Sequence, residues 1–151
     1  QMSLHYVYTD GVWDLFHCSH LAFLKTVRQD AANVLKTDPS NIRVVAGVVS
    51  DQDVQSYKRV PIMNETQRRR MLEACTLVDV VVPNSPLIIT EALLSEYNIR
   101  FVYHGDDSSQ SDFFEVPICK GMMRYVKYDD EVSTTRIIEK IRSGEKNTDP
   151  K

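Results

Sequence analysis

The run Ile42 to Val49 reads Ile-Arg-Val-Val-Ala-Gly-Val-Val, apolar and mostly β-branched with only Arg43 interrupting it. A strand with one wet face alternates apolar and polar residues, so a run without that alternation is covered on both sides. Such a strand needs a parallel sheet with helices packed on each face. Four more β-prone runs fit this frame: His5 to Tyr8, stopping at the turn dipeptide Asp10-Gly11; Val78 to Val82, a further buried strand closed by Pro83-Asn84-Ser85-Pro86; Phe101 to Tyr103; and the shorter Met123 to Val126. The segments between them have helical spacing. Leu21, Leu24, Val27, Ala31, Val34 and Leu35 form one apolar stripe, with Lys25, Arg28, Gln29 and Asn33 outside it, and Thr37-Asp38-Pro39-Ser40 ends the helix. Asn64 is an N-cap with Gln67 at the third helical position, ahead of an inner face of Met71, Leu72 and Cys75. Thr90 caps Glu91 to Tyr97. Ser133 caps Thr134 to Arg142, with Ile137, Ile138 and Ile141 directed inward and Gly144 as the stop. Ser50 to Arg59 reads as a polar loop, and Pro117 argues against one long helix between Ser108 and Gly121.

This alternation predicts an α/β fold, a Rossmann-like doubly wound parallel sheet of about five strands. With 151 residues and 42% hydrophobic content, the chain suits one domain, residues 5–144, followed by a polar tail, 145–151. Gln1 ahead of Met2 is an unusual beginning, and residues 1–4 are expected to include a cloning remnant. Eighteen basic and 21 acidic residues give a net charge of −3 with no basic block, which excludes broad nucleic-acid binding. No apolar run reaches the ~18 residues needed to span a bilayer, and no signal-peptide pattern is visible. Cys18, Cys75 and Cys119 match neither a disulfide framework nor zinc-ligand spacing, so a cytoplasmic protein with reduced thiols is expected.

In a sheet of this kind ligands collect beyond the carboxyl ends of the strands. The loops there carry His17, His20, Lys58, His104, Asp106, Ser133 and Thr134. His17 and His20 are spaced to share one face of a first helical turn, where unpaired N–H groups favour phosphate and two imidazoles add donors whose charge is expected to respond near neutral pH. Lys58 adds a cation, and Asp106 is placed to hold a divalent ion or part of a nucleotide. Each residue also has a plainer reading: Lys58-Arg59 as a solvated loop, Arg68-Arg69-Arg70 as the wet side of a helix, His104 as a satisfied histidine at a strand end, Ser133 as a cap, Trp13 and Phe16 as core. Their combination is what suggests phosphate chemistry. No Ser, Cys or Lys is paired with a base in sequence, so positioning and charge stabilisation, sufficient for nucleotidyl transfer, are the expected means.

The stretch Asp10-Gly11-Val12-Trp13-Asp14-Leu15-Phe16-His17-Cys18-Ser19-His20 resembles the signature of the cytidylyltransferase family, whose core is H-x-G-H. Tyr57-Lys58, Asn64-Glu65 with Arg68, Val78-Asp79-Val80-Val81, His104-Gly105-Asp106-Asp107 and Val132-Ser133-Thr134-Thr135 match later motifs in order, so the resemblance covers Tyr6 to Ile141. It is nearest to the ethanolamine-phosphate and choline-phosphate enzymes, and around Ser56 to Cys75 to the second half of the former. The resemblance implies a nucleotidyltransferase-type fold and a transferase of phospholipid precursor synthesis that joins CTP to a phospho-alcohol, giving a CDP-alcohol and pyrophosphate, with Mg²⁺ arriving with CTP and no protein metal ligand assigned. It implies catalytic roles for His17, His20 and Lys58, nucleotide contacts from Val12, Trp13, His104, Gly105, Asp106, Val132, Ser133 and Thr134, and phospho-alcohol contacts from Asp10, Lys58 and Arg68. A homodimer is also implied, with the apolar Val78 to Val82 region as a candidate face.

The sequence departs from the family in three places. Ser19 stands where the family has glycine between the histidines. Tyr128-Asp129-Asp130-Glu131 replaces R-T-x-G, so a phosphate-gripping arginine is a tyrosine and three carboxylates follow it. At an effective dielectric of ~20, a like-charge contact at ~4 Å costs about 4 kcal/mol, enough to weaken nucleotide binding. Leu87 occupies a position that is aromatic in the choline and ethanolamine enzymes. These departures support an alternative, a catalytically degenerate domain with a binding, regulatory or dimerisation role.

Overall fold

A computed structural model describes residues 3–108, 111–129 and 131–147. Five strands form one sheet: β1 (His5–Gly11), β2 (Ile42–Val49), β3 (Val80–Ser85), β4 (Ile99–Gly105) and β5 (Met123–Val126), in the order β3-β2-β1-β4-β5 with every pairing parallel. The helices are α1 (Cys18–Leu35), α2 (Asp51–Gln55), α3 (Glu65–Glu73), α4 (Glu91–Glu96), α5 (Glu115–Cys119) and α6 (Thr134–Ser143). This is the predicted doubly wound α/β fold.

The period-2 alternation of the central strands divides the core. Val7, Val44, Ala46, Val48 and Tyr103 face α1 and α3, where they meet Phe23, Leu24, Val27, Ala31 and Leu72. Their neighbours Tyr8, Val45 and Val102 face the other way, against Ile89, Leu93 and Leu94 around α4 and Phe114 before α5. β2 has every residue but Arg43 buried, as its unbroken apolar run requires.

Several expectations need correction. β3 is an edge strand that begins at Val80 and includes Pro83-Asn84-Ser85; only one neighbour flanks it, so Val80 and Val81 are half-buried and proline is tolerated. The buried stripe of α1 runs through Phe23, Leu24, Val27, Ala31 and Ala32, leaving Val34 on the exposed side. Arg28 is not a free surface residue: its guanidinium donates to the Ile42 and Leu77 carbonyls and to Asp79, which also accepts the Val44 N–H. The loop after β2 contains α2, capped by the Ser50 hydroxyl. In α6, Ile137 and Ile138 are half-buried, but Ile141 is 74% exposed because the helix is anchored through its first turn and buries no residue fully. The caps at Asn64, Thr90 and Ser133 and the left-handed Gly144 are as predicted. Of the polar tail, residues 145–147 are exposed, and 148–151, like Gln1-Met2 at the other end, lie outside the described residues.

Candidate functional site

The strand order changes direction between β1 and β4, and their carboxyl ends open onto a cleft of about 590 Å³. Asp10 and His104 face each other across that point. His104 Nε2 donates to Asp10 Oδ1 at 2.8 Å, and the imidazole lies against the Phe114 ring with centroids 4.2 Å apart. Gly105 follows in a tight place: a Cβ there would lie 2.6 Å from Asp107 Oδ1, which would have to turn aside, and 3.0 Å from Tyr128 Cβ.

The first loop leaves β1 through two left-handed residues, Trp13 (φ 58°) and Leu15 (φ 54°). The turn turns Trp13 inward, where it is buried and its Nε1–H donates to the Gly47 carbonyl at 2.9 Å. β2 accommodates this because Gly47 has no side chain; a Cβ would press on the Tyr8 hydroxyl and lie 2.7 Å from Ser85 Cβ. Asp14, 5% exposed, accepts the Ile62 and Met63 N–H groups at 2.8 and 2.9 Å with its carboxylate, while its carbonyl accepts the Thr134 hydroxyl at 2.8 Å. One residue thus joins three loops of the cleft.

His17 and His20 stack at the start of α1 with ring centroids 3.8 Å apart. His20 Nδ1 accepts the His17 backbone N–H at 3.1 Å, so Nε2 carries the proton of the neutral ring. Burial, then the nearby His17 and Lys58, push the His20 pKa down to about 3, and burial lowers that of His17. The expected charge change of His20 near neutral pH is therefore absent: a ring that is half-enclosed, stacked and near a lysine loses more by protonation than solvent returns. Lys58 also lies below the usual lysine range, through desolvation first and then Arg59, with Asp107 and Asp14 opposing.

Ser19 causes no strain where a glycine was anticipated. It is helical, 2% exposed, and its hydroxyl accepts the Val132 N–H at 3.1 Å, tying the last motif to α1. Tyr128 lines the cleft and packs on Phe23 with centroids 5.9 Å apart. The acidic residues beside it behave differently from the expectation. Asp129 is exposed and accepts the Glu131 N–H, neither it nor Glu131 lines the cleft, and Asp130 lies outside the described residues.

The cleft brings together Asp10, Val12, Trp13, His17, His20, Lys58, His104, Ser133 and Thr134. Arg68, Gly105, Asp106 and Val132 do not line it. Arg68 is wholly buried, which overturns the wet-face reading for that residue, while Arg69 and Arg70 keep it: Arg68 donates to the carbonyls of Met63, Val12 and Val49 and to Asp51 at 2.7–3.0 Å. Asp106 accepts the Tyr128 N–H, and Val132 contributes its backbone to Ser19. Lining residues that sequence reasoning passed over include Asp14, Tyr57, Arg59, Asp107, Phe113 and Phe114. Asp14 had a signal, an acidic side chain in a turn beside backbone donors; the two phenylalanines had none, because their segment showed no clear periodicity.

Three comparisons bear on this geometry. In structure, the chain resembles the lipopolysaccharide core biosynthesis protein from Thermoplasma volcanium GSS1 with a TM-score of 0.62 and 20% identity, over 84% of this chain and all of that one, a likeness of fold. In sequence, it is 32% identical over 89% of its length to ethanolamine-phosphate cytidylyltransferase of Dictyostelium discoideum, covering 36% of that protein. It is 35% identical over the same share to choline-phosphate cytidylyltransferase of Saccharomyces cerevisiae, covering 31% of it. The chain therefore spans about a third of the length of these curated relatives. The cytidylyltransferase-like family profile matches residues 8–140, from the strand that precedes the histidine turn to α6, and by that match the chain belongs to the cytidylyltransferase-like family.

Proposed function

We propose that this domain transfers a cytidylyl group from CTP to a phospho-alcohol, releasing pyrophosphate. The observation that carries the reading is the convergence of His17, His20, Lys58 and the first turn of α6 on one cleft. A phosphate oxygen of the acceptor attacks the α-phosphorus of CTP; the bond from that phosphorus to the bridging oxygen breaks, and pyrophosphate leaves with the electron pair. The protein supplies position and countercharge. His20 offers the Nε2–H of a neutral ring as a hydrogen-bond donor, Lys58 bridges the two anionic substrates, and Ser133 and Thr134 offer a hydroxyl and N–H groups to phosphate oxygens.

The other end of the cleft suits an acceptor with a cationic head. Asp10 supplies a carboxylate, and Tyr57 and Phe113 supply aromatic rings that meet edge-on at 5.9 Å. These rings support phosphoethanolamine or phosphocholine despite Leu87. Mg²⁺ arrives on the triphosphate, as is usual for an ion that takes one or two carboxylates and substrate phosphates. Asp14 is committed to backbone N–H groups, and Asp10 is shared between His104 and the acceptor's head in this reading, so Asp107 is the lining carboxylate best placed to contribute. The ion would neutralise charge on the departing pyrophosphate. A cytoplasmic setting accords with the free thiols of Cys18, Cys75 and Cys119 and with the absence, among the described residues, of a helix able to cross a membrane. A homodimer through the edge strand β3 belongs to the same reading and is tested by sedimentation.

The deciding experiment is titration of the folded protein with CTP and Mg²⁺, alongside pyrophosphate release with phosphoethanolamine, phosphocholine and glycerol phosphate. Turnover that vanishes in His17→Ala and Lys58→Ala is the expected result. Binding without turnover would favour a regulatory domain, a reading supported by Tyr128 in the wall where the family has arginine. Neither binding nor turnover would end the nucleotide reading.

A further inference from the structure

The loss of the family's arginine at Tyr128 leaves a question of charge. Among the described lining residues, the permanent cations are Lys58 and Arg59. The sequence motif accounts for the first alone. Arg59 lies in the loop after α2, yet it reaches the last motif: its Nη1 donates to the Thr135 hydroxyl at 3.1 Å, in the first turn of the ten-residue helix α6. The Ser133 hydroxyl caps the Arg136 N–H, which leaves the N–H groups of Thr134 and Thr135 for a ligand.

The loop that carries Arg59 is held at both ends. Lys58 N–H bonds the Val54 carbonyl, and the Ile62 and Met63 N–H groups bond the Asp14 carboxylate. Among the described residues the guanidinium has one hydrogen bond, to a neutral hydroxyl, and that engages one of its five donors. A planar fork with free donors at a helix N-terminus is suited to bidentate phosphate. The depression of the Lys58 pKa by Arg59, second to desolvation, is a sign that the two cations act on the same space.

We propose that Arg59 is the phosphate-gripping guanidinium of this chain, supplied from the loop after α2 in place of the family arginine that Tyr128 replaces, and directed at the terminal phosphates of the nucleotide. The assignment rests on the nucleotide reading above. It makes the Tyr128 departure a relocation of charge rather than a loss of it.

The test is calorimetric titration of wild type and Arg59→Gln with CTP and with inorganic tripolyphosphate, each with Mg²⁺, together with thermal unfolding. Arg59 is exposed, so the expected result is an unchanged unfolding temperature with affinity for both ligands lower by about tenfold or more, the usual effect of one charge-assisted bond. Wild-type binding that Arg59→Gln leaves intact would overturn the Arg59 assignment while the nucleotide reading stands. A loss of affinity that comes with a clearly lower unfolding temperature would overturn it too, by making the residue structural. Absence of binding in the wild type would remove both.

Discussion

Between His17 and His20, one backbone N–H bonded to one ring nitrogen at 3.1 Å fixes the tautomer of a residue at the mouth of the cleft. The acceptor role of Nδ1 would be lost on protonation. This bond and the enclosure of the ring give the first prediction its sign.

The unfolded chain protonates His20 near its ordinary value of 6.5, and the folded chain near 3. The unfolded state thus takes up the proton first. The stability held by a neutral His20 is complete above about pH 6.5 and is lost as pH falls from there toward 3, with His17 acting in the same direction. Denaturant unfolding at a series of pH values is expected to show a steeper loss for wild type than for His20→Gln over this window. The difference is at most about 1.4 kcal/mol per pH unit, the linkage of one proton. Parallel profiles would refute it.

Ser19→Ala removes the acceptor of the Val132 N–H without disturbing α1. A stability loss of about 1 kcal/mol is expected, near the mean for one hydrogen bond. Because that bond holds the residue preceding Ser133, KM for CTP should rise while kcat changes little. An unaltered KM in a destabilised variant would mean that Ser19 only fills space.

Arg68 has no surface and four bonded oxygens, so it shapes the cleft without entering it. Arg68→Met should cost about 3 kcal/mol or more, since it leaves three carbonyls and Asp51 without their donor. Arg68→Lys should recover little, one ammonium being unable to reproduce the planar fork. Wild-type stability in either variant would contradict this role.

For Asp10 and His104, a double-mutant cycle with Asp10→Asn and His104→Ala is expected to give a coupling energy of about 1–2 kcal/mol in unfolding. The pair is largely enclosed, with side-chain exposures of 8% and 17%. Additive effects would show that the contact joins β1 and β4 in geometry only.

Sequence patterns were informative wherever local rules decide. The unbroken run of Ile42 to Val49, the cap at Asn64 with Gln67 and the stop at Gly144 each describe a short-range requirement, and each is met. Arg68 shows the limit. Its helix reads as polar on that side, and only the fold brings the carbonyls of Val12 and Val49 to within 3 Å of its guanidinium. Similarly, Asp129 and Glu131 look like an obstacle to phosphate along the chain, but the turn after β5 directs Asp129 to the Glu131 N–H. That the histidines share one helical turn was visible from their spacing; the fixed tautomer and low proton affinity of His20 depend on burial, which spacing does not encode.

Asp14 holds the loop before α3 by its carboxylate and the start of α6 by its carbonyl. Mechanically, the walls that carry Lys58 and Thr134 are therefore tied together twice, through Asp14 in the first turn and directly through the Arg59–Thr135 bond. A ligand that drew either wall inward would pull on the other, and any coupling between the two ends would be reciprocal. A pull on one end of the cleft is thus passed to the other through bonds within one small domain.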